Sequence, residues 1–149
     1  MKTTIIYSML LVAGTALAVP ATRGDKVVTI SELRASQTDQ TGYVTFKLND
    51  PNYHDATVAN VIWDRPGNPQ ANSRTNDGAY LVHFPGGVKD ISAFDLQLQR
   101  VKGTEDFSVT VNDKGKGGAQ DTKWICSTAK GPEKSKKCHY DGDITLVPS

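Results

Sequence analysis

Between residues 43 and 48 the apolar side chains of Val44, Phe46 and Leu48 alternate with Tyr43, Thr45 and Lys47. A period of two puts successive side chains on opposite faces of an extended chain, so this segment can bury one face of a strand but not the stripe of a helix. The pattern recurs. Residues 79–84 set Tyr80, Val82 and Phe84 on one face, residues 93–101 do so with Phe94, Leu96 and Leu98, and residues 107–111 with Phe107, Val109 and Val111. Two denser runs, 26–33 and 57–63, are rich in β-branched residues, and short runs at 124–126 and 144–147 complete a set of about eight expected strands. Between them lie turn signals: Asp50-Pro51-Asn52, Arg65-Pro66-Gly67-Asn68-Pro69, Asn76-Asp77-Gly78 and Pro85-Gly86-Gly87. Residues 112–121 read as a Lys/Gly-rich connector. No window has sustained helical periodicity between caps. The expected fold is therefore all-β and antiparallel, a compact β-barrel or barrel-like sandwich with little or no helix.

The first residues read as an address. Lys2 supplies a positive start, residues 5–13 are an apolar run, and Ala16-Leu17-Ala18 offers the small side chains that a signal peptidase selects. The run is too short for a bilayer span of about 20 residues. The expected organisation is a signal peptide over 1–18, a loose tail over 19–25 and one β domain over 26–149, secreted to an extracellular location. Cleavage after Ala18 leaves 131 residues with 16 Lys and Arg against 16 Asp and Glu. That neutrality argues against a general nucleic-acid binder. A domain of this size can bury about two-thirds of its unfolded surface and needs no dense set of staples.

The chain has only two cysteines, Cys126 and Cys138, with eleven residues between them. In an oxidising compartment a disulfide is the default pairing. A metal pair is the alternative, but His139 is the only neighbouring ligand type and no second Cys/His pair sits at ligand spacing. No cysteine remains for a covalent dimer.

Catalytic motifs are absent at the level of spacing. His54, His83 and His139 match no metal pattern. A small secreted hydrolase, nuclease-like in kind, would need His83, Glu32 or Glu105, and Arg100 to converge, and their spacing does not require it. Lys114-Gly115-Lys116-Gly117-Gly118 lacks the spacing of a phosphate loop and has no following helix. Arg23-Gly24-Asp25 matches a short adhesion tripeptide, a match that arises readily by chance. Asp50 and Asp55, with Asp141 and Asp143, offer oxygen ligands for calcium without an EF-hand spacing. Trp63 and Trp124 would serve a carbohydrate-binding module if exposed, yet strand positions favour the core. No cofactor and no metal is expected, and no Asn-x-Ser/Thr acceptor is present.

Charge is more informative. The segment between the cysteines carries Lys130, Lys134, Lys136 and Lys137 against Glu133, a local excess of three positive charges. Such a loop can dock on an acidic partner or simply keep a tip wet. The 64–78 segment, the longest without a strand pattern, adds Arg65 and Arg74. These six cations are the candidate partner-binding residues.

The tail Cys126-x11-Cys138 followed by His139-Tyr140-Asp141-Gly142-Asp143-Ile144-Thr145-Leu146-Val147 resembles the end of the Alternaria major-allergen (Alt a) family. Val28-Thr29-Ile30-Ser31-Glu32-Leu33 is similar to that family's first strand. The resemblance implies a compact antiparallel β-barrel, a fungal secreted origin and an elicitor or effector role, in which the protein triggers hypersensitive cell death or defence in plants without being an enzyme. It implies a plant extracellular or membrane-associated protein as partner; near-neutral charge argues against nucleic acid, and no segment beyond the first is apolar enough to be transmembrane. The cysteine that links the family's allergen dimer has no counterpart between residues 19 and 125, so a monomer or non-covalent oligomer is expected. Of the family's functional residues only Cys126 and Cys138 carry over.

Overall fold

The computed structural model describes residues 26–53, 55–113, 123–131 and 134–148. The expected signal segment and tail (1–25), Arg23-Gly24-Asp25, His54, the Lys114–Gly118 run and Glu133 lie outside these residues. The strands in chain order are β1 Val28–Gln37, β2 Thr41–Asp50, β3 Asp55–Asp64, β4 Tyr80–His83, β5 Ala93–Arg100, β6 Asp106–Asn112, β7 Trp124–Thr128, β8 Lys136–Tyr140 and β9 Ile144–Leu146. All eight expected strands are present. The ninth, β8, was not expected, because Lys136-Lys137-Cys138-His139-Tyr140 has no apolar alternation to announce it.

The chain is all-β, with two antiparallel sheets facing each other. One sheet runs β3-β2-β1-β8-β7, with β9 pairing the first half of β1; the other runs β4-β5-β6. β8 and β9 lie along the same side of β1, against residues 34–37 and 28–30 respectively. Single bridges join the sheets at their margins. Thr75 bridges Ala59 of β3, Arg74 bridges Leu81 of β4, and Pro148 bridges Phe107 of β6. Among the described residues no continuous ladder crosses between the sheets. The arrangement is thus a sandwich stitched at its edges, and of the two expected forms the closed barrel is not the one adopted.

The alternating residues do what their period requires. Val44, Phe46 and Leu48 of β2 and Leu96 and Leu98 of β5 are buried between the sheets. An aromatic chain runs through this core: Trp63 to Phe84 at 6.3 Å, Phe84 to Phe94 at 5.7 Å, and Phe94 to Trp124 at 5.7 Å, edge-on. Edge and tilted contacts of this kind match the ring quadrupoles and add to the burial itself. Gly42 pairs with Trp63 across β2 and β3, and the indole lies over it. A Cβ at residue 42 would run into that ring, so glycine is required there by close approach.

Polar groups hold the sandwich at both ends. At one end, Asp50 is only 1% exposed. It accepts a hydrogen bond from the Tyr80 hydroxyl, and from the backbone N–H (3.1 Å) and Nδ2 (3.0 Å) of Asn52. Arg100 Nη1 stands 3.8 Å from Asp50 and donates to the Tyr80 hydroxyl oxygen at 3.2 Å. Its guanidinium lies 3.5 Å over the Tyr53 ring, whose hydroxyl donates to the buried Glu105 at 2.5 Å. Burial and the Asp50 hydrogen bond both raise the Tyr80 pKa well above the usual tyrosine range, against the opposing pull of Arg100. At the other end, the β4–β5 connection is fastened to the large sheet. Trp124 Nε1 donates to the Ile91 carbonyl at 3.0 Å, and the Ile91 N–H donates to Gln37 Oε1 at 3.1 Å. These bonds satisfy buried polar atoms that would otherwise be costly to leave unpaired.

Candidate functional site

The outer face of the six-stranded sheet carries a trough of about 920 Å³. Strand register sets two rows of outward side chains across this face, of which Arg34, Ser36, Tyr43, Thr45, Ser127, Lys137 and His139 line the trough. One row runs Asn60, Thr45, Arg34, His139, Ile125, and the other Ile62, Tyr43, Ser36, Lys137, Ser127, each residue paired with the next across neighbouring strands. Five strands at about 4.8 Å spacing make such a row roughly 19 Å long. The small Ser36 stands between the longer Tyr43 and Lys137, which gives the face its hollow.

A β-bulge aims the β1 residues. Register shifts between Ser31 and Arg34, and Glu32 takes a left-handed φ of 54°. Val28 and Ile30 face the core before the bulge, and Leu33 and Ala35 after it, so the parity of the strand changes by one. Glu32 and Arg34 consequently both reach the trough. A left-handed non-glycine residue costs on the order of 1 kcal/mol, and the cross-strand pairing on both sides of β1 holds it there.

Electrostatics distinguish the residues of the trough. Glu32 is paired with Lys47 at 3.2 Å. Tyr43 and Thr45 both donate to Asn60 Oδ1, each at 2.8 Å, which fixes the Tyr43 ring. Among the described residues the guanidinium of Arg34 and the ammonium of Lys137 have no hydrogen-bond or ion-pair partner. Lys137 precedes His139 by two on β8 while His139 faces Arg34, so the two cations are diagonal neighbours, about 7–8 Å apart at Cα in such a pairing. Asp143 lies at the margin.

Cys126 and Cys138 form a disulfide directly across β7 and β8. It faces inward, with Cys138 buried, and so ties down the strands that present Ser127, Lys137 and His139 on the opposite face.

The six cations singled out from the sequence separate into three groups. Arg65 is engaged internally: Nη1 donates to the Thr38 carbonyl at 2.6 Å and Nη2 to the Lys89 carbonyl at 3.2 Å. Lys136 is likewise engaged, with Nζ at 2.9 and 3.0 Å from the two Asp90 carboxylate oxygens. Both fasten the β4–β5 connection to the large sheet. Lys130, Lys134 and Arg74 are exposed, and only Lys137 enters the trough. Sequence reasoning missed Arg34, Tyr43 and His139, for no local pattern links β1, β2 and β8.

The Asp90 carboxyl sits at about 2. Partial burial works against its charge, but the Ser92 N–H, the Lys136 ammonium and the Ser92 hydroxyl outweigh that burial. A carboxyl held below its unfolded value stabilises the fold above that value and ceases to do so as pH falls through the folded one. The stability difference between the native chain and Asp90→Asn should therefore shrink as pH is lowered from 3.8 to about 2. Urea midpoints of the two proteins across that window check it; a constant difference would show that the Lys136 contact contributes nothing through charge.

Other sequence candidates are dispersed. Arg100 and Glu105 do meet, through Tyr53, but His83 alternates with the buried Tyr80 and Val82 and so faces away from them. It lines a separate shallow cleft of about 410 Å³ with Gln97, Gln99 and Asn68. Glu32 belongs to the other sheet. The hydrolase triple therefore does not assemble. Trp63 and Trp124 are 5% and 1% exposed, which removes both from any carbohydrate-stacking role. Asp50 is engaged by Tyr80, Asn52 and Arg100, and among the described residues no three His, Cys, Asp or Glu gather as a metal would require. No described helix is long and apolar enough to cross a membrane. Comparison with protein-family models, with characterised proteins and with solved structures finds no match to the chain.

Proposed function

We propose that the chain is an exported, non-enzymatic recognition protein of the elicitor or effector kind, acting on plants at the cell surface or in the extracellular space. The secretory pattern of residues 1–18 supports export, and the disulfide suits an oxidising compartment. The observation that carries the recognition role is the trough. Two cations without partners among the described residues, Arg34 and Lys137, stand in a hollow whose walls are fixed by strand pairing and a covalent clasp. Rigid presentation of unsatisfied polar groups lowers the ordering entropy of binding. Lys130 and Lys134, exposed on the connection between β7 and β8, add positive charge beside the strand that carries Lys137.

Infiltration of purified protein into leaves tests this. The native chain should induce cell death or defence-gene expression, and Arg34→Ala/Lys137→Ala should lose that response while Lys102→Ala, on the smaller sheet's connection, keeps it. A folded native protein that leaves several plant hosts unresponsive would refute the proposal.

A further inference from the structure

We infer that the trough binds an anionic oligosaccharide, a sugar chain carrying carboxylates such as a uronic-acid polymer. The assignment takes the trough as the recognition surface proposed above and adds the chemistry of its ligand. Arg34 and Lys137 supply two positive charges whose partners are not found among the described residues. An arginine guanidinium takes a planar carboxylate with two parallel hydrogen bonds, and a lysine ammonium serves as a second point of charge. The diagonal placement of the two matches a ligand whose charges are spaced along a chain.

The remaining lining decides between anions. Tyr43, its ring held by Asn60, lines the trough. Ile62, 66% exposed, and Ile125, 45% exposed, flank the lining at opposite ends of the rows. Such surfaces pack against the C–H faces of sugar rings. Ser36, Thr45 and Ser127 add hydroxyls suited to a hydroxyl-rich ligand. Two carboxylates, Glu32 and Asp143, also line the trough. They can accept hydrogen bonds from sugar hydroxyls. The lining reaches from β2 to β7, roughly 14 Å by strand spacing, which suits a short oligomer lying across the strands.

The test is titration of the full chain with an oligogalacturonate and with its fully methyl-esterified counterpart, which has the same rings without the charge. Binding is read by calorimetry and by amide chemical-shift changes. The acid form should bind with shifts confined to β1, β2, β7 and β8, and the ester should not. Arg34→Gln and Lys137→Gln should each weaken binding by roughly tenfold, the loss expected for one charged hydrogen bond, and Arg34→Lys should recover part of it. Both positions face outward, so unchanged thermal midpoints are expected and would attribute the loss to the ligand. Equal binding of acid and ester, unchanged affinity in both glutamine variants, or binding instead to an RNA oligonucleotide or to phosphatidylserine vesicles would overturn the assignment. If the leaf response depends on Arg34 and Lys137 while the oligogalacturonate fails to bind, the ligand class is wrong and the recognition surface stands. If the sugar binds but leaves do not respond, the converse holds.

Discussion

Replacing Asp50 with alanine should lower the free energy of unfolding by about 3–5 kcal/mol, the usual loss when one partner of a buried ion pair is removed. Asp50 is 1% exposed and is the acceptor for Tyr80, for two donors of Asn52 and for the charge of Arg100. Alanine would leave the Tyr80 hydroxyl without this acceptor and would remove the carboxylate that faces the Arg100 side chain, itself 12% exposed. It would also release the Asn52 turn, which holds the start of β1 through Lys26 N–H to Asn52 Oδ1 at 3.0 Å and Asn52 Nδ2 to the Lys26 carbonyl at 2.9 Å. Urea denaturation reads the effect as a lower midpoint with an unchanged slope. The triple replacement Asp50→Leu/Tyr80→Phe/Arg100→Met removes the Tyr80–Asp50–Arg100 donors and acceptors together, leaves only the Asn52 donors without Asp50, and should recover part of the loss. A loss below about 1 kcal/mol in Asp50→Ala would mean that solvent reaches this end of the sandwich, as at exposed pairs.

Cys126→Ala should lower stability by roughly 2–4 kcal/mol, because the unfolded chain is no longer restricted by a closed loop of this length. The bond lies across two paired strands whose backbone ladder persists without it, so the variant should fold. Its effect should be greatest locally. Among the described residues β8 pairs with the rest of the large sheet through residues 34–37 of β1, and β7 pairs only with β8. Amide hydrogen exchange should therefore rise first in β7 and β8, ahead of β2 and β3. Since these two strands carry Ser127, Lys137 and His139, ligand affinity in the trough should fall with them. A denaturation midpoint equal to that of the native chain would contradict the disulfide's contribution.

Much of the architecture was legible because it is written in local period. Tyr43 to Leu48 and Phe94 to Leu98 alternate, and a strand with one buried face requires that alternation. Asn76-Asp77-Gly78 announces its turn, with Asp77 accepting from Thr75 at 2.8 Å and from the Ala79 N–H at 3.0 Å, and Gly78 at a φ of 76°. β8 was illegible for the same reason in reverse. Its inward position is a cysteine, its outward positions are Lys137 and His139, and its place depends on pairing with residues about a hundred positions earlier in β1.

The cations make the same distinction. Arg65 and Lys136 look like solvent-facing charge in the sequence, yet each is held by a group more than twenty residues away, at Lys89, Thr38 or Asp90. Arg34 lies just beyond the strand expected over 26–33 and becomes central to the trough. By itself the sequence determined the all-β class, the position of most strands, the core aromatics and the cysteine pair, since each follows from side-chain period, turn chemistry or composition. The tertiary structure alone decided that the sheets form a sandwich, and it selected which charges are engaged and which face the open trough. Those outcomes depend on cross-strand register and on one bulge at Glu32, which moves every later side chain of β1 to the other parity.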